Sequence, residues 1–188
     1  FTEAVHELQT DEFADLYAEE LKAEGGVISG EQFVDECQVE SDLELLLPAT
    51  YVTGSSERML LYRELVCLSL DKDVEAFRNR LIDRFGPVPS ETEELLRIVP
   101  LRRLAARLGA EKVFLKGGRM SLFFISNPES PYYQSQAFGK VIAYMMKYTR
   151  RCDLREQNTR RSMLVKDVKN VETAVGVLQE IVAMQVEE

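Results

Sequence analysis

The sequence predicts an α+β fold: N-terminal helices followed by a small antiparallel sheet in the order ββα-ββα, packed with helices. Three observations carry this. Between about residues 56 and 108, apolar residues recur at helical spacing through three successive runs. Two β-rich runs then flank Gly117-Gly118, a good hairpin turn. After one more helical stretch, a second pair of short strands precedes a last helix beginning near Asn170.

Taken in order, Phe1–Glu24 has helical periodicity through Val5, Leu8, Phe13, Leu16, Tyr17 and Leu21, and Gly25-Gly26 should end it. Glu31–Val39 is ambiguous, and Glu40–Leu47 reads as an extended acidic segment closed by Pro48. A helix follows from about Ser56 to Leu70, with Ser55 or Ser56 as its cap and Leu61, Leu65 and Leu68 on its core face. Asp71 caps the next helix, whose Val74, Phe77, Leu81, Ile82 and Phe85 share one face. Gly86 takes the left-handed conformation that ends it, and Pro87 cannot continue it. Ser90 and Glu93 match the capping-box spacing for a third helix, which carries Leu95, Leu96, Val99, Leu101, Leu104 and Leu108. Pro100 inside that helix predicts a bend or a break.

The β-rich runs are Glu111–Lys116 and Arg119–Ser126. Val113, Leu115, Leu122 and Phe124 alternate, but Phe114, Phe123 and Ile125 load the other face, which predicts a sheet partly covered on both sides. Ser130 and Pro131 read as the cap and first residue of a helix to about Tyr148, through Phe138, Val141, Ile142 and Met145. Strands near Arg151–Glu156 and Arg161–Lys166 join around Asn158. Asn170 caps the last helix, with Val171, Ala174, Val175, Leu178, Ile181 and Val182 inward.

At 188 residues, 45% hydrophobic and 29% charged, the chain can bury a core of its own. No apolar run approaches the roughly 18 residues of a membrane span. Cys37, Cys67 and Cys152 lie far apart, which gives neither a close-set metal pair nor an even disulfide set and points to a reducing cytoplasm. The net charge of −9 is uneven: residues 1–49 hold fourteen carboxylates and one Lys22, so the rest of the chain is mildly basic. A net acidic chain is a poor candidate for tight DNA binding by itself.

Three stretches stand in a telling order: Leu46-Leu47-Pro48-Ala49-Thr50-Tyr51-Val52, then Glu57-Arg58-Met59-Leu60-Leu61-Tyr62-Arg63, then the run Arg80–Pro89 with Asp83-Arg84-Phe85-Gly86 and Pro89. Together they resemble the C-terminal domain of the bacterial transcription-repair coupling factors (Mfd), strongly over about residues 40–100 and loosely beyond. The resemblance implies a non-catalytic, autoinhibitory domain of an ATP-dependent DNA translocase that couples transcription to nucleotide excision repair. Residues 1–45 would be the acidic helix and connector from the preceding motor module, and 46–188 the regulatory domain. The domain would fold back on the parent's UvrA-binding module and mask it until RNA polymerase is engaged. UvrA and polymerase would thus be indirect partners, and DNA would be reached through the motor. ATP and magnesium belong to that motor, with no cofactor in this stretch, and the cytoplasm is the implied location. On the helix ending at Phe85, Ala76, Arg80, Asp83 and Arg84 form a strip facing away from the core. In the family, acids on this helix meet arginines of the masked module; Asp83 matches such a position, and Arg80 stands where relatives can carry an acid.

The residues themselves offer little chemistry. The sole histidine, His6, sits in the acidic leader, and no G-x-x-x-x-G-K-[ST] loop exists. Asp35-Glu36-Cys37-Gln38 lacks the long apolar strand that would aim an ATPase acidic box, and Glu93-Glu94 has no partner group to shift its pKa values. No catalytic or metal-binding residue is expected. The alternative reading is nucleic-acid contact through the basic run Lys147, Arg150, Arg151, Arg155, Arg160, Arg161, Lys166 and Lys169, beside Tyr144 and Tyr148. A third is an adaptor whose acidic leader docks a basic partner.

Overall fold

The structure, a computed structural model, describes residues 33–186. The helix expected over Phe1–Glu24, its glycine stop and His6 lie outside the described residues. From Phe33 onward the chain is one compact unit. It carries strand β1 (Gln38–Ser41), helices α1 (Ser55–Val66), α2 (Asp71–Phe85) and α3 (Ser90–Arg107), and strands β2 (Ala110–Lys116) and β3 (Arg119–Phe124). A 3-10 turn (Pro131–Gln134), α4 (Gln136–Lys147), β4 (Cys152–Gln157), β5 (Arg160–Val165) and α5 (Val171–Ala183) complete it. The class is α+β, as the sequence implies. The sheet order is β1-β2-β3-β5-β4.

One strand was illegible. β1 pairs in parallel with β2, Val39 opposite Val113, so the five-stranded sheet is mixed where four strands in antiparallel pairing were expected. Its four residues, Gln-Val-Glu-Ser, hold one apolar side chain, too little alternation to mark a strand. The sheet's helix-facing rows run Val39, Val113, Leu122, Met163, Leu154 and Ser41, Leu115, Met120, Val165, Cys152. They pack against the second half of α3, against α4 and against α5 to form one core.

A second core lies among the helices, where Leu47, Val52, Leu61, Leu65, Phe77, Leu81, Leu96 and Val99 bury together. α3 serves both: Leu96 and Val99 belong to the helical core, Leu101 to Ala106 to the sheet core. Pro100 stands at the changeover, yet the helix continues through it. Of the expected bend or break, the break does not occur, because apolar burial on both sides of Pro100 outweighs one missing backbone hydrogen bond.

Several caps differ from expectation. Gly54 caps α1, Leu70 caps α2 and Pro89 caps α3, none through a side chain; Ser55, Asp71 and Ser90 are first-turn residues instead. Glu93 does not return to Ser90. It is drawn to Arg78 of α2, whose Nε donates to it at 2.9 Å, so an interhelical ion pair displaces the capping box. α1 also ends at Val66, short of Leu70. Ser130 does accept from Tyr132 N, but it starts the 3-10 turn; α4 begins later with Ser135 as cap, accepting from Phe138 N. Asn170 caps α5, accepting from Thr173 N at 2.7 Å. The Glu94 carboxylate adds two further acceptors at that end, for Val171 N at 2.9 Å and Glu172 N at 3.0 Å, and so stitches α3 to α5.

Candidate functional site

The stretches that stand out in the sequence come together around the helical core. Arg58 and Tyr62, one turn apart, face the same way on α1. Arg58 Nη1 donates to the Val52 carbonyl at 2.6 Å, and the Tyr62 hydroxyl accepts from Leu47 N at 2.7 Å. From the other side, Tyr51 donates to the Gly86 carbonyl at 2.8 Å, and Thr92, fully buried, donates to the Leu46 carbonyl at 2.9 Å. The segment Leu46–Thr53 is thereby held between α1, the end of α2 and the start of α3. Its buried backbone polar groups find partners in side chains because no strand supplies them. Burial pushes the Tyr51 phenol above its usual range, with nearby Glu93 adding to the effect and Arg78 opposing it. These residues are structural ties.

At the close of α2, Gly86 has φ +88° and ψ −163°, a region open almost only to glycine, in place of the expected left-handed helical cap. Phe85 lies 5.6 Å from Tyr51, ring centre to ring centre, and is half-buried; the fully buried anchors of α2 are Phe77 and Leu81. The strip Ala76, Arg80, Asp83, Arg84 divides. Arg80 and Arg84 reach across to α1, where they pair with Glu64 and Glu57, and their guanidiniums lie 5.4 Å and 4.9 Å from the rings of Phe77 and Phe85. Asp83 is exposed and has no ion-pair partner among the described residues. Both arginine side chains are more than half exposed, so each pair contributes roughly 0–1 kcal/mol.

Sequence reasoning missed the outward stripe of α1. Met59, Leu60 and Val66 are 54%, 64% and 65% exposed, and Arg63 lies between them with no ion-pair partner among the described residues. The signal was available: α1 is apolar on both faces, and only Leu61 and Leu65 are needed for its core.

The basic run does not form one surface. Arg151 donates to the carbonyls of Lys166 and Asp167 and so closes a turn. Lys147 sits 3.6 Å from Glu180 on the helical side, and Arg161 lies over Tyr133 at 4.3 Å on that same side. Arg155 and Arg160 stand on the opposite face of the sheet. That face has no helix on it among the described residues. One of its rows reads Gln38, Lys112, Phe123, Ser162, Arg155, and the next Glu40, Phe114, Ser121, Leu164, Asp153. The expectation of partial cover on both sides is thus corrected: the rings of Phe114 and Phe123, 5.3 Å apart, are roofed by Lys112, Lys116 and Arg160 rather than by another element.

No group of three His, Cys, Asp or Glu side chains among the described residues could hold a metal. All three cysteines are free; burial pushes the Cys37 thiol up to about 12, against a small opposing effect of Arg102. No helix among the described residues is long and apolar enough to cross a membrane.

The unit is thus an α+β domain with a helical core, a tied-down signature segment and an exposed apolar stripe on α1. The TRCF domain family matches residues 41–135, just over half of the chain, and the chain belongs to that family. It is 27% identical over 149 residues to the transcription-repair-coupling factor of Rickettsia typhi, covering 77% of this chain and 13% of the relative. The transcription-repair-coupling factor of Staphylococcus haemolyticus is 24% identical over 146 residues, covering 74% of this chain and 12% of that protein. The chain therefore spans about an eighth of the length of these curated relatives. A crystal structure of the C-terminal domain of a transcription-repair coupling factor shares the fold, with a TM-score of 0.60 at 17% identity, covering 82% of this chain and 96% of that one.

Proposed function

We propose that this chain is the regulatory C-terminal domain of an ATP-dependent DNA translocase that couples transcription to nucleotide excision repair, and that it acts as a lid on the parent's UvrA-binding module. Residues 46–188 would be the lid and 1–45 the connector from the motor, which would carry the ATP and magnesium. UvrA and RNA polymerase would be reached through the parent, and DNA through its motor.

The observation that supports a lid is the outward surface of α1 and α2. A specific protein contact needs apolar groups that can be desolvated at its centre and charges at its rim to fix register. Met59, Leu60 and Val66 supply the first, Asp83 and Arg63 the second. A weak contact suffices, because tethering supplies an effective concentration on the order of millimolar. The test is a titration of this chain with the excised UvrA-binding module, UvrA, polymerase and duplex DNA in parallel. The reading expects micromolar binding to the UvrA-binding module alone; binding to duplex DNA and none to the module would overturn it.

A further inference from the structure

The open face of the sheet carries a second, independent surface. Its rings, Phe114 and Phe123, belong to neither core. Around them five cations share three carboxylates: Lys112 and Lys116 on Glu40, at 3.1 Å and 3.8 Å, Arg160 on Glu111 at 3.2 Å, Arg155 and Lys166 on Asp153, both at 3.9 Å. The face therefore keeps an excess of positive charge on a chain whose net charge is −9. Arg160 Nε is the one buried side-chain polar atom among the described residues with no hydrogen-bond partner. A guanidinium over an aromatic ring with a donor left over is a group still short of an acceptor.

We propose that this face binds single-stranded nucleic acid, with Phe123 and Phe114 as the stacking platform and Lys112, Lys116, Arg155 and Arg160 holding phosphates. The chemistry is an exchange. Each ammonium or guanidinium that roofs a ring swings onto a phosphate oxygen, and an unpaired base takes its place on the ring. A duplex cannot do this, because its bases are already stacked. An acidic peptide would satisfy the cations but would make no use of the ring faces. The proposal does not depend on the lid, which uses different residues, those on the outward surface of α1 and α2.

The probe is fluorescein-labelled oligo(dT) of twenty nucleotides, read by anisotropy with the whole chain in 50 mM KCl. Micromolar binding is expected. If about three phosphates are held, binding weakens roughly 20-fold on going to 200 mM salt. Arg160→Glu weakens it tenfold or more. Phe123→Leu keeps an apolar residue, melts within a degree or two of the parent, and still weakens it about fivefold or more. Lys72→Glu, on exposed α2, leaves it within twofold. No binding at 50 µM protein, equal binding to a duplex of the same length, or binding unchanged by both Arg160→Glu and Phe123→Leu would overturn the proposal.

Discussion

Gly109 and Tyr132 touch so closely that a β-carbon on Gly109 would lie 2.1 Å from Tyr132 Cε2. Gly109 also has φ +83°, and the Tyr132 hydroxyl donates to the carbonyl of its neighbour Leu108. The fully buried tyrosine thus packs against the backbone where α3 turns into β2. Gly109→Ala meets both a forbidden contact and an unfavourable φ, and should cost on the order of 3 kcal/mol or more. Tyr132→Phe, which leaves one buried carbonyl unpaired, should cost only about 1–2 kcal/mol. Urea melts of the two variants check the order.

The anchor of α2 is Phe77, 1% exposed, rather than Phe85 at the helix end. Phe77→Ala should lose about 3–5 kcal/mol. Phe85→Ala, half-buried against Tyr51, should lose clearly less. Equal losses in denaturant midpoint would show that the helical core is arranged differently.

On the proposed lid reading, Asp83→Lys in the full-length parent should expose the UvrA-binding module and raise UvrA binding. With a tethered contact near ten micromolar, about 99% of molecules are closed, a bias of roughly 2.7 kcal/mol. Reversing an interfacial charge can cost that much. Leu60→Ser should act in the same direction, since Leu60 is 64% exposed and contributes little to the fold. UvrA binding held at the parental level in both variants, with normal melting, would place the lid contact elsewhere.

Stability should fall as the pH rises above about 9. Burial raises the Cys37 thiol from 9.0 to about 12, and the Tyr144 phenol from 10.0 to about 12 despite the opposing charge of Arg151. In each case the fold favours the protonated form, so the contribution is complete below the unfolded value and is lost as the unfolded group ionises and the folded one does not. The loss therefore spans pH 9 to 12, starting with Cys37. Cys37→Ala should reduce the first part of that fall in urea midpoints taken at one-unit steps, leaving the part from Cys152, which burial also raises from 9.0, and the tyrosine part above pH 10.

Local chemistry was enough to determine the helices and the hairpin. Phe77 and Leu81 recur at helical spacing, and Gly117 and Gly118 take φ values of +62° and +71° because nothing else fits that two-residue turn so well. The stretches that carry the family resemblance were legible for the same reason, since Arg58 and Tyr62 stand one helical turn apart. Tertiary structure alone decided three other things. β1 exists because β2 offers an edge to Gln38–Ser41, not because that sequence favours a strand. Glu93 serves Arg78 rather than its own helix end because α3 packs beside α2, and Arg80 and Arg84 turn from the surface strip to Glu64 and Glu57 on neighbouring α1. The basic run, continuous along the chain, is split by the alternation of a strand: neighbours such as Arg160 and Arg161 point to opposite faces of the sheet, and only the partners across the strands say which face is covered.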